Sequence, residues 1–381
     1  MGDFYEFFAG GGMVRAGLGQ GWRCVFANDF DPKKARVYRE NWGDAELNTD
    51  SVETLVSSDL PGQAQLAWAS FPCQDLSVAG SGAGLKGGRS GTFLPFWKLM
   101  KALVEEKRAP SLIVIENVSG TLTSHQGRDF ATICRGFVDA GYSLGAIIID
   151  AVLFVPQSRP RLFVIAVKDR STIPNDLIAA GPLPAWHNKT LRTAFAKLPK
   201  SVQAEWIWWN LPLPRTRRLS FADIIENEPT GTEWFSETET NRLVGMMSKV
   251  NRLKLLKVQQ LGRPVMGGVY KRTRRDEAGR AVQRAEIRFD NISGCLRTPA
   301  GGSSRQIILT VNGELVKARL ISARETARLM GLQDSYKLPE NYNEAYHLTG
   351  DGVVVPVVRH LAKYIFEPIL DFETKKGTLA A

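Results

Sequence analysis

Phe4-Tyr5-Glu6-Phe7-Phe8-Ala9-Gly10-Gly11-Gly12, running on into Met13 to Leu18, is an apolar strand, a glycine turn and a short helical stretch. Glycines at a strand-to-helix turn adopt backbone angles barred to other residues and let a ligand approach the main chain. Further apolar runs follow at Cys24 to Ala27, Leu66 to Ala69, Ile113 to Ile115, Ala146 to Ile149 and Leu162 to Val167, with helical segments between them. Continuous apolar runs alternating with helices predict an α/β fold, a doubly wound, mostly parallel sheet covered on both faces.

Working outward from that turn, the residues that can carry chemistry stand beside strand-like runs, and the glycine loop, Cys73 and Glu116 each follow one. Phe71-Pro72-Cys73-Gln74 comes just past Leu66 to Ala69, where a thiol is a candidate nucleophile. Ile113-Val114-Ile115-Glu116-Asn117-Val118 ends in a carboxylate, and Gln157-Ser158-Arg159-Pro160-Arg161 precedes the last run. Arg159 and Arg161 alternate along an extended segment, so both are expected to face one side. Asn28-Asp29-Phe30-Asp31 follows the second strand, where an acidic residue commonly binds ribose hydroxyls. In doubly wound sheets ligands sit beyond the carboxyl ends of the strands, so these segments are expected to converge.

With these motifs in this order, the chain resembles the DNA (cytosine-5) methyltransferases that use S-adenosylmethionine. The resemblance covers most of residues 3–168 and resumes at about 291–366. It implies a Rossmann-like methyltransferase fold with Cys73, Glu116, Arg159 and Arg161 as the catalytic set. Phe8, Gly10, Gly12, Asp29, Phe30, Asp50, Ser51, Pro72, Phe93, Asp351 and Val353 would line the cofactor site. The family usually has glycine at Met13, glutamate at Asp29 and asparagine at Asp351. The glycine-rich segment Ser77 to Arg89, directly after Cys73, is expected to close over a cytosine flipped out of the duplex.

The resemblance also implies a discontinuous catalytic domain, residues 1–180 and 345–381, around a smaller β-containing target-recognition domain, residues 181–344. A hairpin is expected from Val265 to Ile287 with Asp276 to Arg280 as its turn, and another around Asn312-Gly313. The basic clusters Arg215 to Arg218 and Lys271 to Arg275, with the tryptophans of Glu205 to Asn210, are expected to contact DNA from this second domain. The segment Gly301 to Gln306 is expected to be a base or phosphate loop there.

Composition sets bounds on this reading. The 381 residues suffice for a large core, and 44% hydrophobic content suits a globular protein. A net charge of +10 suits a polyanionic partner, expected to be double-stranded DNA. The four cysteines, Cys24, Cys73, Cys134 and Cys295, form no CxxC pair, and the four histidines have no ligand spacing, so no metal is expected. No apolar run reaches membrane-spanning length, and Met1-Gly2-Asp3 lacks the start of a signal peptide. The expectation is a monomeric cytoplasmic enzyme of the bacterial or phage type, from a restriction-modification system. Two alternatives keep the fold: a transfer-RNA cytosine-5 methyltransferase, and a catalytically silent DNA-binding homologue. A dinucleotide-dependent oxidoreductase would leave Cys73 and the two arginines unexplained.

Overall fold

Seven strands form the large sheet, all but the two-residue β3 lying on the apolar runs: β1 (Gly2–Phe7), β2 (Trp22–Asn28), β3 (Leu47–Asn48), β4 (Leu66–Ala69), β5 (Leu112–Val118), β6 (Ser143–Asp150) and β7 (Pro160–Val167). Their order is β3-β2-β1-β4-β5-β7-β6. β7 alone runs antiparallel, against β5 on one side and β6 on the other. The computed structural model describes residues 2–71, 93–276, 278–297 and 305–380. Strand order reverses between β1 and β4, the position where doubly wound sheets open a crevice at their carboxyl ends.

The chain divides into two compact units. The first comprises Met1–Asp150, Pro160–Arg215 and Val355–Ala381, and the second Ala151–Arg159 and Thr216–Val354. Helices α1 (Met13–Leu18), α2 (Pro32–Trp42), α3 (Phe93–Glu105), α4 (Arg128–Asp139), α5 (Lys189–Ala196) and α6 (Lys200–Ala204) belong to the first unit. Local chemistry sets their ends. Asp31 caps α2 by accepting from the Lys33 N–H, Pro32 takes the first helical position, and Gly43 closes the helix at φ 87°.

The tryptophan-rich segment corrects an expectation. Trp206 and Trp209 are buried in the first unit, not displayed by the second. The Leu144 N–H donates to the Glu205 carbonyl and the Ile207 N–H to the Leu144 carbonyl, so this segment runs along the free edge of β6. An uncovered edge strand invites pairing with other chains, and here the tryptophans seal it. A side chain at Gly145 would strike the Ile207 carbonyl and the Trp209 indole, which explains the glycine inside β6. The observed boundary at Arg215, against 180 from the sequence, reflects this cover.

The second unit is built on α7 (Glu237–Gly245), α8 (Lys249–Gln259), β8 (Val265–Arg275), β9 (Ala281–Arg288), β10 (Ile307–Asn312), β11 (Leu315–Leu320), α9 (Ala323–Leu329) and α10 (Tyr342–Asp351). Its four strands form an antiparallel sheet in the order β11-β10-β8-β9. Both expected hairpins are present. Asp276 Oδ1 accepts the Ala278 and Arg280 N–H groups to close the first turn, and Gly313 at φ 57° closes the second. Residues of α7 and α8 complete a core with Val269, Ile287, Leu309 and Ala318.

The chain then returns to the first unit as α11 (Val355–Leu361) and α12 (Glu367–Ala380). α11 lies against α1, where a side chain on Gly17 would strike Val358. Among the described residues no helix is long and apolar enough to cross a membrane.

Candidate active site

The turn after β1 is made of left-handed residues: Phe8, Gly10 and Gly12 have φ of 58°, 56° and 77°. The Ala9 N–H donates to the Asn28 carbonyl at 2.9 Å and the Gly12 N–H to the Ala9 carbonyl at 2.8 Å, tying the turn to β2 and to itself. A side chain on Gly12 would strike the Trp42 indole, whose Nε1 donates to the Gly11 carbonyl at 2.9 Å. At Gly10 a Cβ would meet nothing within 4 Å. Gly10 therefore answers to backbone angle alone, and Gly12 to angle and space together.

Asp29 fastens this turn from the end of β2. Its Oδ2 accepts the Gly10 N–H at 2.8 Å and its Oδ1 the Asp31 N–H at 3.0 Å. Burial pushes its carboxyl above the usual range. Each oxygen retains a second lone pair, so a ligand hydroxyl can still donate to it. Phe30 beside it leaves 66% of its surface exposed. After β3, the exposed Asp50 accepts from Asn48 Nδ2 at 3.2 Å while its carbonyl accepts from Asn28 Nδ2 at 2.9 Å. The Ser51 carbonyl accepts from the Thr54 N–H and hydroxyl, which closes the following turn.

An aromatic group stands beside the glycine turn. Phe8 meets Phe71 edge-on at 6.1 Å, and Phe71 meets Phe93 at 5.8 Å. Phe93 stacks in turn on Trp97 at 6.1 Å and is buried, so it supports this group from behind. Pro72 and Cys73 lie outside the described residues, as do Ser77 to Arg89 and Gly301 to Ser304.

β5 and β7 bring Glu116 and Arg161 together. Val118 pairs with Arg161 in the antiparallel register, and Arg161 Nε reaches diagonally to Glu116 Oε1 at 3.2 Å. The carboxyl end of β5 and the start of β7 therefore share one ion pair, nearly buried on the Glu116 side. Asn117 next door is also buried. Its Nδ2 donates to the Phe71 carbonyl at 3.1 Å, and its Oδ1 accepts from the Val118 N–H at 2.8 Å and the Thr121 hydroxyl at 3.1 Å.

Arg159, Asp351 and Val353 belong to the second unit. Arg159 is buried, and its guanidinium donates to the carbonyls of Leu296, Gly350 and Gly352 at 3.0, 2.8 and 2.7 Å. This cation sits at the carboxyl end of α10, where carbonyl dipoles favour it. Arg159 and Arg161 have separate sets of partners, main-chain carbonyls for Arg159 and Glu116 for Arg161. Asp351 ends α10 and is exposed, while Val353 is buried.

Two residues of the first unit escaped the reading of the sequence. Asn117 has no local signature distinguishing it from a turn asparagine. Glu6 does carry one, a carboxylate inside an otherwise apolar strand. Cys24 and Cys134 are buried, and burial pushes the Cys24 thiol up to about 12 and the Cys134 thiol well above its usual value, so neither is poised to ionise. Among the described residues no group of three or more His, Cys, Asp or Glu is placed to hold a metal ion.

Comparison with known proteins adds an independent finding. The model of the family described as C-5 cytosine-specific DNA methylase matches residues 2–367. The chain is 24% identical over 383 residues to Type II methyltransferase M.HpaII of Haemophilus parainfluenzae, covering 96% of this chain and 89% of that one. It is 24% identical over 366 residues to Type II methyltransferase M.HhaI of Haemophilus parahaemolyticus, covering 94% and 92%. In fold it is similar to the crystal structure of the S. pombe Dnmt2 methyltransferase, with a TM-score of 0.63 at 18% identity over 97% of this chain and 99% of that one.

Proposed function

As the chain belongs to the C-5 cytosine-specific DNA methylase family, we propose that it moves a methyl group from S-adenosylmethionine to C5 of a cytosine flipped out of duplex DNA. The Type II methyltransferases among its relatives support a role in a restriction-modification system. The observation that carries the mechanism is the Glu116–Arg161 pair at the carboxyl end of β5, in the sheet whose switch point holds the glycine turn.

The residues of the first unit fit the cofactor. Gly10 leaves the turn open to a ligand, Asp29 can accept from ribose hydroxyls, Phe30 offers a ring for stacking, and the exposed Asp50 carboxylate suits an adenine amine. When bound, S-adenosylmethionine supplies an electrophilic methyl group.

Cytosine C5 is a poor nucleophile. Cys73 Sγ adds to C6, and the C5=C6 electron pair becomes available at C5 as an enamine. Glu116 meets the charge that this addition pushes towards N3, sharing a proton with that nitrogen. Arg161 holds Glu116 Oε1, which fixes the carboxyl plane and directs Oε2 to the base. Once the new C5–methyl bond has used that electron pair, loss of the C5 proton restores C5=C6 and expels the Cys73 thiolate. Arg159 acts as a positioning residue, since its two terminal nitrogens donate to the carbonyls of Leu296, Gly350 and Gly352. The second unit reads the duplex, with the arginines of β8 as phosphate contacts.

The test is transfer of labelled methyl from S-adenosylmethionine to unmethylated duplex DNA, with modified cytosines mapped by sequencing, for wild type and Cys73→Ser. Label at C5 within one repeated sequence, lost in the variant, is the expected result. Label on transfer RNA alone, or on no nucleic acid, would overturn it.

A further inference from the structure

β1 carries a carboxyl group that the proposed chemistry leaves unused. Glu6 is 1% exposed, with Ala27 of β2 and Trp68 of β4 as its neighbours across the sheet. Its Oε1 accepts the N–H of Val14, the second residue of α1, at 3.3 Å. Among the described residues its Oε2 makes no hydrogen bond of good geometry, and the nearby Arg15 main-chain N–H, which favours the charge, only partly offsets the burial. A buried carboxylate with an unsatisfied oxygen is strongly disfavoured, and a proton is the simplest remedy.

The groups that face Glu6 come from every element around it. Arg15 of α1 favours its charge but is shared with the Tyr38 hydroxyl at 3.0 Å and Glu46 at 3.3 Å, and lies over the Trp42 ring at 5.2 Å. Asp29, bonded to Gly10, opposes the charge. Cys24 of β2 and Tyr38 of α2 are both neutral, since burial pushes each well above its ordinary value. Burial is the largest influence and pushes the Glu6 carboxyl up to about 8. The group lies directly beneath the turn Phe8 to Gly12 in sequence and is bonded to the helix that leaves it.

We infer that Glu6 is a positioning residue of the cofactor turn that holds a proton in the free protein and releases it to solvent when S-adenosylmethionine binds. This rests on the reading of the turn as the cofactor site. S-adenosylmethionine carries a net positive charge, which at this turn would favour the Glu6 carboxylate. The carboxylate then accepts the Val14 N–H more strongly and stiffens the join between turn and helix. Binding and proton release are reciprocally linked, so affinity rises with pH until Glu6 is already ionised in the free protein.

Calorimetric titration of S-adenosylmethionine into wild type and Glu6→Gln, in buffers of different ionisation enthalpy, counts the protons released. Wild type is expected to release a fraction of a proton more than Glu6→Gln, and its affinity to gain on the variant between about pH 6 and about pH 8. Titration of the ligand's own amine is common to both proteins and cancels. Should the variant not fold, carbon-13 spectra of wild type with labelled glutamate carboxyls keep the test. One carboxyl should titrate far above the others and move to lower pH on saturation with S-adenosylmethionine. Equal proton release by two binding-competent proteins, or no such carboxyl, overturns the inference alone. Wild type that binds no S-adenosylmethionine overturns the cofactor reading as well.

Discussion

Gly10 and Gly12 are indistinguishable as letters, yet they answer to different constraints. Both are left-handed, but only Gly12 faces the Trp42 indole, while Gly10 opens on free space. Gly10→Ala should therefore cost only the backbone term, about 1–2 kcal/mol. Gly12→Ala adds overpacking of about 1–3 kcal/mol and displaces the indole that holds the Gly11 carbonyl. Urea unfolding of the two variants checks the ranking, and equal losses would contradict this account of the turn. Gly12→Ala should also weaken S-adenosylmethionine binding in the same calorimeter. The turn itself was legible because three successive glycines at a strand end mean positive φ. The indole was not, because Trp42 lies 30 positions away in sequence.

At the scale of elements, the Asn117 side chain joins β5 to the segment after β4. Asn117 of β5 donates to the carbonyl of Phe71, the last described residue before Cys73. Asn117→Asp keeps an acceptor for the Val118 N–H but turns an oxygen toward the Phe71 carbonyl, which already needs a donor. Its expected cost is about 1–3 kcal/mol of stability. If Asn117 positions the segment that carries Cys73, kcat falls at least about tenfold while S-adenosylmethionine affinity stays within about twofold. Stopped turnover with weakened cofactor binding would point to general loss of structure instead. The strands themselves were readable from the sequence, because those buried on both faces are unbroken apolar runs. The role of residues 205–209 was not, since a tryptophan cluster looks alike whether it seals an edge or meets a partner.

For the whole molecule, the excess of ten positive charges matters through where it is displayed. Arg272 and Arg274 share one face of β8, both exposed and both paired with Glu286 of β9. DNA phosphates are expected to compete with Glu286 for them. Arg272→Gln and Arg274→Gln should each lower the slope of log affinity against log salt by about 1, weakening binding to all duplexes alike. Fluorescence anisotropy at several salt concentrations measures the slope. A change confined to one DNA sequence would instead place these arginines on base edges.

The amino-acid sequence by itself determined the fold class, the glycine turn and both hairpins, because each depends on residues close together in the chain, and the family, through the order of short motifs. Apolar run length and turn residues are local properties, and motif order is read along the chain without knowledge of contacts. Only the tertiary structure decided the partners: Glu116 with Arg161, Asn117 with Phe71, Asp29 with Gly10, and Arg159 with the end of α10. It also decided that Glu6 lies out of water with one oxygen unsatisfied. Burial and charge pairing depend on what distant segments bring to the same place, and a linear pattern of residue types does not encode that directly.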